Sequence, residues 1–237
     1  MSAPAGSAVR DLTASDVAAA ARLHGQMADI QFIARGGPHL LRPYYLSWMS
    51  TDAAMALGAF GPGGELVGVL LGCTDPATHY SQMLRRGGLR SATGMLVAAL
   101  SRPSFARELL ATRASRYSRA VLRRLVAAAR RPAGPGAPAE QGVRGPAGSG
   151  PGPQEAAPLA GEITHLVVDG ARRGTGAGRL LVAEAAERCR QAGCQELELV
   201  AIPGSAAASF YEHLGFLADR AVTSASGEEF VRYTFGL

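Results

Sequence analysis

"VVDGARRGTGAGRLL", residues 167–181, places two arginines and then three alternating glycines between a pair of valines and a pair of leucines. The valines before Asp169 favour a strand, and the leucines after Arg179 favour a helix. A glycine-rich turn at the beginning of a helix lets an anion approach the unpaired N–H groups without meeting a Cβ atom. The stretch therefore predicts a phosphate-binding turn between a strand and a helix.

Two other phosphate-binding motifs do not fit this turn. It is not a Walker loop, because no Lys-Ser or Lys-Thr pair follows it, and it lacks the G-x-G-x-x-G order of the dinucleotide fingerprint. A plain connection between a strand and a helix also uses glycine. The turn alone therefore leaves both interpretations open.

The composition limits the class of protein. The chain has 237 residues, of which 47% are hydrophobic, and this suits one large domain with a sizeable core. We expect a cytoplasmic protein, because no apolar run reaches the roughly 18 residues of a transmembrane helix and the first residues lack the pattern of a signal peptide. The three cysteines and five histidines show no ligand spacing, so no metal site is predicted.

The basic residues are all of one kind. The net charge is +5, and the 24 basic residues are arginines in a chain that also contains 30 glycines and 14 prolines. Such usage is typical of a GC-rich bacterial genome. The number of arginines therefore does not by itself predict a binding function.

Residues 130–160 consist mostly of proline, glycine and alanine, and few of them could contribute to a core. This composition predicts a flexible loop. Strand patterns lie on both sides of the loop, and neither half holds a complete sheet. We therefore predict one α/β domain over residues 1–237, with a helical insert over 77–129 and the flexible loop over 130–160.

Alternating apolar residues and turn residues predict the elements of this domain. The predicted strands cover residues 8–12, 54–60, 65–72, 162–169 and 195–201, a stretch beginning at 215, and 228–235, and the predicted helices cover 16–27, 39–49, 176–192 and 205–214. Strands and helices alternate towards the end of the chain, which predicts a partly parallel sheet.

Two motifs in the C-terminal half resemble those of a known family. "RGTGAG", residues 173–178, resembles the R-G-x-G-x-G acyl-CoA loop of the GNAT superfamily of N-acetyltransferases, and "AAASFYEHLGF", residues 206–216, resembles its second signature, F-Y-x-x-x-G-F. The clear resemblance spans residues 162–217. It implies an acetyl-CoA-dependent N-acetyltransferase of the bacterial subgroup with a helical insert. The implied fold is a GNAT-type mixed, partly parallel central sheet flanked by helices.

The resemblance also implies a site for acetyl-CoA and no metal. The backbone of residues 166–168 would pair with the pantetheine arm, and the N–H groups of 173–178 would hold the pyrophosphate, beside a V-shaped gap between the strands at Val168 and Val200. The implied cofactor-binding residues are Leu166, Val167, Val168, Arg172, Arg173, Gly174, Thr175, Gly176, Ala177, Gly178, Ser205 and Phe210. Ser205 follows a position where many members carry an asparagine, and a helix cap is its alternative role.

The implied catalytic residues are Glu162 and Tyr211. An amine must be neutral to attack a thioester, and deprotonating a lysine-like amine at pH 7 costs about 4 to 5 kcal/mol. Glu162 matches the position of the catalytic glutamate in several members and would be the base, with His165 or water as alternatives. In a regular strand Glu162 would share one face with Leu166 and Val168 while His165 faced away, although a bulge would change this pattern. Tyr211 matches the tyrosine that protonates the CoA sulfur. The alternative for Glu162 is a glutamate in water at the strand edge, and the alternative for Tyr211 is a core aromatic residue.

The acceptor is less well defined. Residues 85–131 contain 12 arginines and one acid, Glu108. They predict a solvated helix face, an electropositive wall for an anionic acceptor, or peripheral contact with a membrane. No motif predicts specific nucleic-acid binding. The expected acceptor is the primary amine of a small molecule, an amino sugar or a natural-product amine. The alternative function is a non-catalytic acyl-CoA-binding or membrane-facing scaffold, and a homodimer is left open.

Overall fold

The computed structural model describes residues 8–27, 32–83, 85–86, 159–223 and 227–237. Within these ranges the chain forms one sheet with helices on both faces. The strands are β1 (Ala8–Asp11), β2 (Ala54–Phe60), β3 (Leu66–Cys73), β4 (Ala160–Val168), β5 (Glu196–Ala201), β6 (Leu217–Thr223) and β7 (Glu229–Gly236). The helices are α1 (Val17–Gly25), α2 (Phe32–Arg35), α3 (Pro38–Trp48), α4 (described residues 76–83, 85 and 86), α5 (Ala177–Gln191) and α6 (Ala206–His213).

The sheet is mixed, with the strand order β1-β2-β3-β4-β5-β7-β6. In this described sheet β4 and β5 form the single parallel pair, and every other pair is antiparallel. The parallel pair follows from the order of the elements, because α5 carries the chain from the end of β4 back to the beginning of β5. The predicted mixed α/β fold is therefore confirmed.

The sheet separates two apolar cores. On one face Leu181 and Ala185 of α5 pack with Leu57 of β2, and we call this the α5 core. On the other face Leu41 and Trp48 of α3 pack with residues of α1 and the sheet, and we call this the α3 core. The strands β2 and β3 are buried on both faces, which explains their nearly continuous apolar sequence.

β4 contains a β-bulge at Thr164, which has no partner on β3 although Ile163 and His165 on either side are paired. Ile163 lies in the α5 core, whereas Val167 lies in the α3 core. Four residues apart, these two side chains would share a face in a regular strand. β4 is therefore not a regular strand, and the bulge changes the pattern of faces along it. The bulge turns His165 to the α3 side of the sheet, where its ring lies 5.7 Å from that of Tyr44 on α3.

The predicted insert (77–129) and loop (130–160) lie outside the described residues, except for 77–83, 85–86, 159 and 160. In the described part of the chain no helix has the length and apolar character needed to cross a membrane. Among the same residues no group of three or more His, Cys, Asp or Glu side chains is arranged to hold a metal ion.

Candidate active site

The turn between β4 and α5 is shaped by its backbone. Asp169 accepts a hydrogen bond from the N–H of Ala171 at 2.9 Å and so closes a short 3-10 turn, Gly170–Arg172, directly after β4. Gly174 and Gly176 then take positive φ values of 78° and 90°, which favour glycine. Gly176 precedes α5 and offers no side-chain cap, so the first-turn N–H groups lack a side-chain acceptor. Together with the positive end of the helix dipole, they form a site suited to a pyrophosphate.

Gly178 lets the beginning of α5 lie close to α6. A Cβ atom at this position would lie 3.3 Å from the Phe210 ring and 3.5 Å from a methyl group of Val168. Three of the predicted cofactor-binding residues therefore meet at the end of β4. Ser205, a fourth, caps α6, because its Oγ accepts a hydrogen bond from the N–H of Ala208 at 3.2 Å.

The turn is tied to the hairpin between β2 and β3. Nη2 of Arg172 donates to Oε1 of Glu65 at 2.8 Å, and the N–H of Gly63 donates to the other oxygen of Glu65 at 3.0 Å. Arg173 is exposed next to this pair. A phosphate at the turn would therefore compete with Glu65 for the guanidinium of Arg172.

A gap opens between the parallel strands β4 and β5. Their pairing runs from Ala160 opposite Glu196 to Ile163 opposite Leu199 and ends there, although both strands continue. Residues 166–168 remain paired with β3 on one edge, so within the described chain their other edge faces the gap. Val200 is exposed on the opposite side. The V-shaped gap between the strands at Val168 and Val200 is therefore present.

Tyr211 lies on α6 at the edge of the α5 core. Its ring packs 5.2 Å from that of Phe210 and 5.5 Å from that of Phe216, measured between centroids. Burial raises the pKa of Tyr211 well above its usual value. Its hydroxyl has no hydrogen-bond partner within the described ranges. The phenol is thus a protonated donor, which fits both the predicted acid and the alternative of a core aromatic residue.

Glu162 lies one residue before the β4–β5 pairing ends. The hydroxyl of Tyr80 on α4 and the hydroxyl of Thr164 each donate to its Oε1 at 2.9 Å. Glu198 is its direct neighbour on β5. Nε of Arg232 on β7 donates to Oε2 of Glu198 at 2.7 Å. Glu162 is thus a partly exposed, ordered carboxylate at the point where the gap begins.

His165 is a poor alternative to Glu162 as the base. Its Nε2 is in a hydrogen bond of 2.9 Å with the hydroxyl of Tyr44, and its ring lies 4.8 Å from that of His24. Burial, and the neighbouring His24, lower the pKa of His165 to about 3. The imidazole is therefore neutral at physiological pH and is a weak proton acceptor.

The sequence interpretation missed three residues near Glu162. Glu198 could have been found, because alternation along β5 places it on the same face as Val200, at the gap. Arg232 and Tyr80 had no such signal, since Arg232 belongs to the last strand and Tyr80 to the segment predicted as an insert.

Comparisons with known proteins agree with this geometry. A model of the acetyltransferase (GNAT) family matches residues 101–216. YncA from Salmonella typhimurium, solved with its cofactor acetyl-CoA, has 11% identity and a TM-score of 0.52, with 98% of this chain and 94% of that chain covered. Ard1 from Thermoplasma volcanium has 10% identity and a TM-score of 0.52, with 98% of each chain covered. A GCN5-related N-acetyltransferase from Kribbella flavida has 14% identity and a TM-score of 0.52, with 99% of each chain covered. No curated protein matches the sequence.

The solved structures show a shared fold at these identities, and the family model covers both motifs that build the site, residues 173–178 and 206–216. This favours the enzyme over the alternative of a non-catalytic scaffold. The chain therefore carries a domain of the GNAT acetyltransferase family over residues 101–216 and is an acetyl-CoA-dependent acyltransferase.

Proposed function

We propose that this acetyltransferase moves an acetyl group from acetyl-CoA to a primary amine of a small molecule, an amino sugar or a natural-product amine. Glu162 is the proposed base and Tyr211 the proposed acid. The observation that carries the proposal is that the β4–β5 pairing ends one residue after Glu162. A thioester and an amine can therefore meet in the gap beside a carboxylate.

Backbone groups supply the cofactor side of the proposed site. The free edge of residues 166–168 can pair with the amide groups of the pantetheine arm, as an added strand would. The N–H groups at Gly174 and at the beginning of α5 can hold the pyrophosphate, because no side chain caps this helix end. Free N–H groups at the gap are also suited to polarise the thioester carbonyl.

The proposed reaction requires two proton transfers. Glu162 takes a proton from the acceptor amine as the nitrogen forms a bond with the carbonyl carbon. The C–S bond then breaks, and the thiolate takes a proton from the Tyr211 hydroxyl. Burial favours the neutral phenol of Tyr211 by raising its pKa, so the donor is protonated before each turnover. Solvent returns the proton to Tyr211 and removes the proton from Glu162.

Charges around Glu162 favour an acceptor that arrives as an ammonium ion and loses one proton to solvent before its neutral amine attacks. Glu198 lies beside it, and Arg232 joins Glu198 to Asp219. These four side chains comprise three carboxylates and one guanidinium. The arginines of residues 85–131 predict an anionic part of the acceptor. These residues lie almost entirely outside the described part of the chain.

Mass spectrometry of acetylated products tests the proposal. The full chain is incubated with acetyl-CoA and glucosamine, and glucose serves as the matched acceptor because it carries a hydroxyl in place of the amine. We expect N-acetylated glucosamine, no acetylated glucose, and a loss of product with Glu162→Gln. A short peptide with a free N-terminus is assayed in parallel. Acetylation of the peptide alone would overturn the proposed acceptor class, and an unchanged rate in Glu162→Gln would overturn the assignment of the base.

A further inference from the structure

We propose that Tyr80 is a positioning residue for the base: together with Thr164 it holds Oε1 of Glu162, so that Oε2 is left to take the proton of the acceptor amine. The inference rests on the proposed function of Glu162. Tyr80 lies on α4 and precedes residues 101–216, the stretch that the family model matches.

Two hydroxyl groups converge on one oxygen of Glu162. The Tyr80 hydroxyl and the Thr164 hydroxyl each lie 2.9 Å from Oε1, and they lie 3.3 Å from each other. Each hydroxyl has one proton to donate, and an ionised carboxylate can only accept. Both protons are therefore used on Oε1. Within the described ranges no donor reaches Oε2, which keeps its lone pairs available.

The position of Tyr80 is fixed by the aromatic residues next to it. Its ring lies 6.1 Å from the Trp48 ring in an edge-to-face arrangement and 5.2 Å from the His79 ring. Trp48 is buried, and its indole N–H donates to the carbonyl oxygen of Gly72 at 3.0 Å. Gly72 is the residue of β3 that pairs at the bulge, next to Glu162. The same bulge therefore positions Glu162 and, through Trp48, the side chain that holds it.

Thr164 lies two residues after Glu162, so alternation along β4 places both side chains on the same face of the sheet. Its hydroxyl therefore reaches Oε1 of Glu162, and the bulge leaves Thr164 without a partner on β3. Two hydrogen bonds to one carboxylate oxygen restrict the rotation of the carboxylate. The arrangement fixes the direction of the free oxygen, which matters when the acceptor must be aligned in the gap.

Carbon-13 NMR of the carboxyl carbon tests the contact without an acceptor. The full chain is labelled with carbon-13 at the glutamate carboxyl carbons, and the signal absent from Glu162→Gln identifies Glu162. We expect Tyr80→Phe, and separately Thr164→Val, to move the chemical shift of that signal at neutral pH, because each variant removes one hydrogen bond to Oε1. Tyr233→Phe is the matched control, because it removes a hydroxyl that donates to Glu212 at the same distance, 2.9 Å. An unchanged chemical shift in both Tyr80→Phe and Thr164→Val would overturn the proposal.

Kinetics with acetyl-CoA and glucosamine as the probe amine test the positioning role. In Tyr80→Phe we expect kcat per acetyl-CoA-binding site to fall about tenfold, with little change in KM for glucosamine. A purely structural role would lower the fraction of protein that binds acetyl-CoA and leave kcat per binding site unchanged. If Glu162→Gln is inactive while Tyr80→Phe keeps the wild-type kcat per binding site, the positioning role is wrong and the base assignment stands. If Glu162→Gln is fully active, the proposed assignment of the base fails instead.

Discussion

Gly72 faces Glu162 so closely that a Cβ atom at position 72 would lie 2.5 Å from the carbonyl oxygen of Glu162. The neighbour is backbone, which cannot move aside as a flexible side chain can. The absence of a side chain at position 72 therefore allows β4 to lie this close to β3 beside the bulge.

Gly72→Ala should consequently damage both stability and catalysis. We expect the free energy of unfolding to fall by about 1 to 3 kcal/mol, since the clash must be relieved by moving β4. Urea denaturation measures this change. Gly68→Ala on the same strand is the control, because its Cβ atom would first meet the end of the Leu181 side chain, at 3.1 Å. Equal losses in the two variants would contradict the special role of Gly72.

Gly174→Glu should weaken the binding of acetyl-CoA, because it places a carboxylate beside the predicted pyrophosphate position. The matched control is Gly193→Glu, near the other end of α5. The two glycines have φ values of 78° and 80°, and a Cβ atom would meet nothing within 4 Å at either position. Both variants therefore carry the same backbone strain, about 1 to 2 kcal/mol.

Calorimetric titration with acetyl-CoA separates the two variants. We expect Gly193→Glu to bind as the wild type does and Gly174→Glu to lose at least about tenfold in affinity, which corresponds to about 1.4 kcal/mol. Equal affinities would place the pyrophosphate elsewhere.

Tyr211→Phe should lower kcat by about 10- to 100-fold while acetyl-CoA binding is retained, because it removes the proposed proton donor. Stability should change little, since the Tyr211 hydroxyl has no hydrogen-bond partner among the described residues. Stopped acetylation assays, calorimetry and thermal unfolding of the same preparation measure the three quantities. A wild-type rate would make Tyr211 a core aromatic residue only.

Two histidines, the buried His79 and the partly buried His165, predict that stability falls in mild acid. Burial lowers the pKa of His79 to about 4, and burial with the neighbouring His24 lowers the pKa of His165 to about 3. The ordinary value in an unfolded chain is about 6.5, so below that pH the unfolded state binds more protons. Their contribution to stability is complete above pH 6.5 and is lost as the pH falls towards 4 and 3.

Urea denaturation between pH 7 and 4 measures this loss. Each histidine should contribute a slope of up to about 1.4 kcal/mol per pH unit below pH 6.5. His165→Asn should reduce the slope, whereas a substitution of the exposed His213 serves as the control. A free energy of unfolding that stays constant from pH 6.5 to 4 would contradict the role of these two histidines.

The sequence predicted those parts of the protein that depend on local patterns. The strands and helices around the glycine-rich turn, and the gap itself, follow from motifs within residues 162–217. The side-chain directions in β4 did not follow, because the bulge at Thr164 is defined by the pairing of β4 with β3, a strand outside these motifs. The expectation that His165 faces away from Glu162 was wrong for this reason.

Local sequence patterns could not predict the partners of Glu162 either. Tyr80 reaches Glu162 across the fold, from a helix whose sequence gave no catalytic signal. Glu198 could have been placed from the alternation along β5, but its bond to Arg232 requires knowledge that β7 lies beside β5. Pairing between distant strands, rather than any motif, decides these contacts.

The antiparallel pairing of β3 with β4 has a consequence for any attempt to divide the chain. Residues 162–217 hold both family motifs, yet β4 forms the hydrogen bonds along one of its edges with β3. Leu57 and Leu70, from the first half of the chain, pack in the α5 core. A C-terminal fragment that carries every proposed catalytic group would expose an unpaired strand and an open core. Activity should therefore be recovered only by complementation, when both halves are expressed together as separate chains and reassemble.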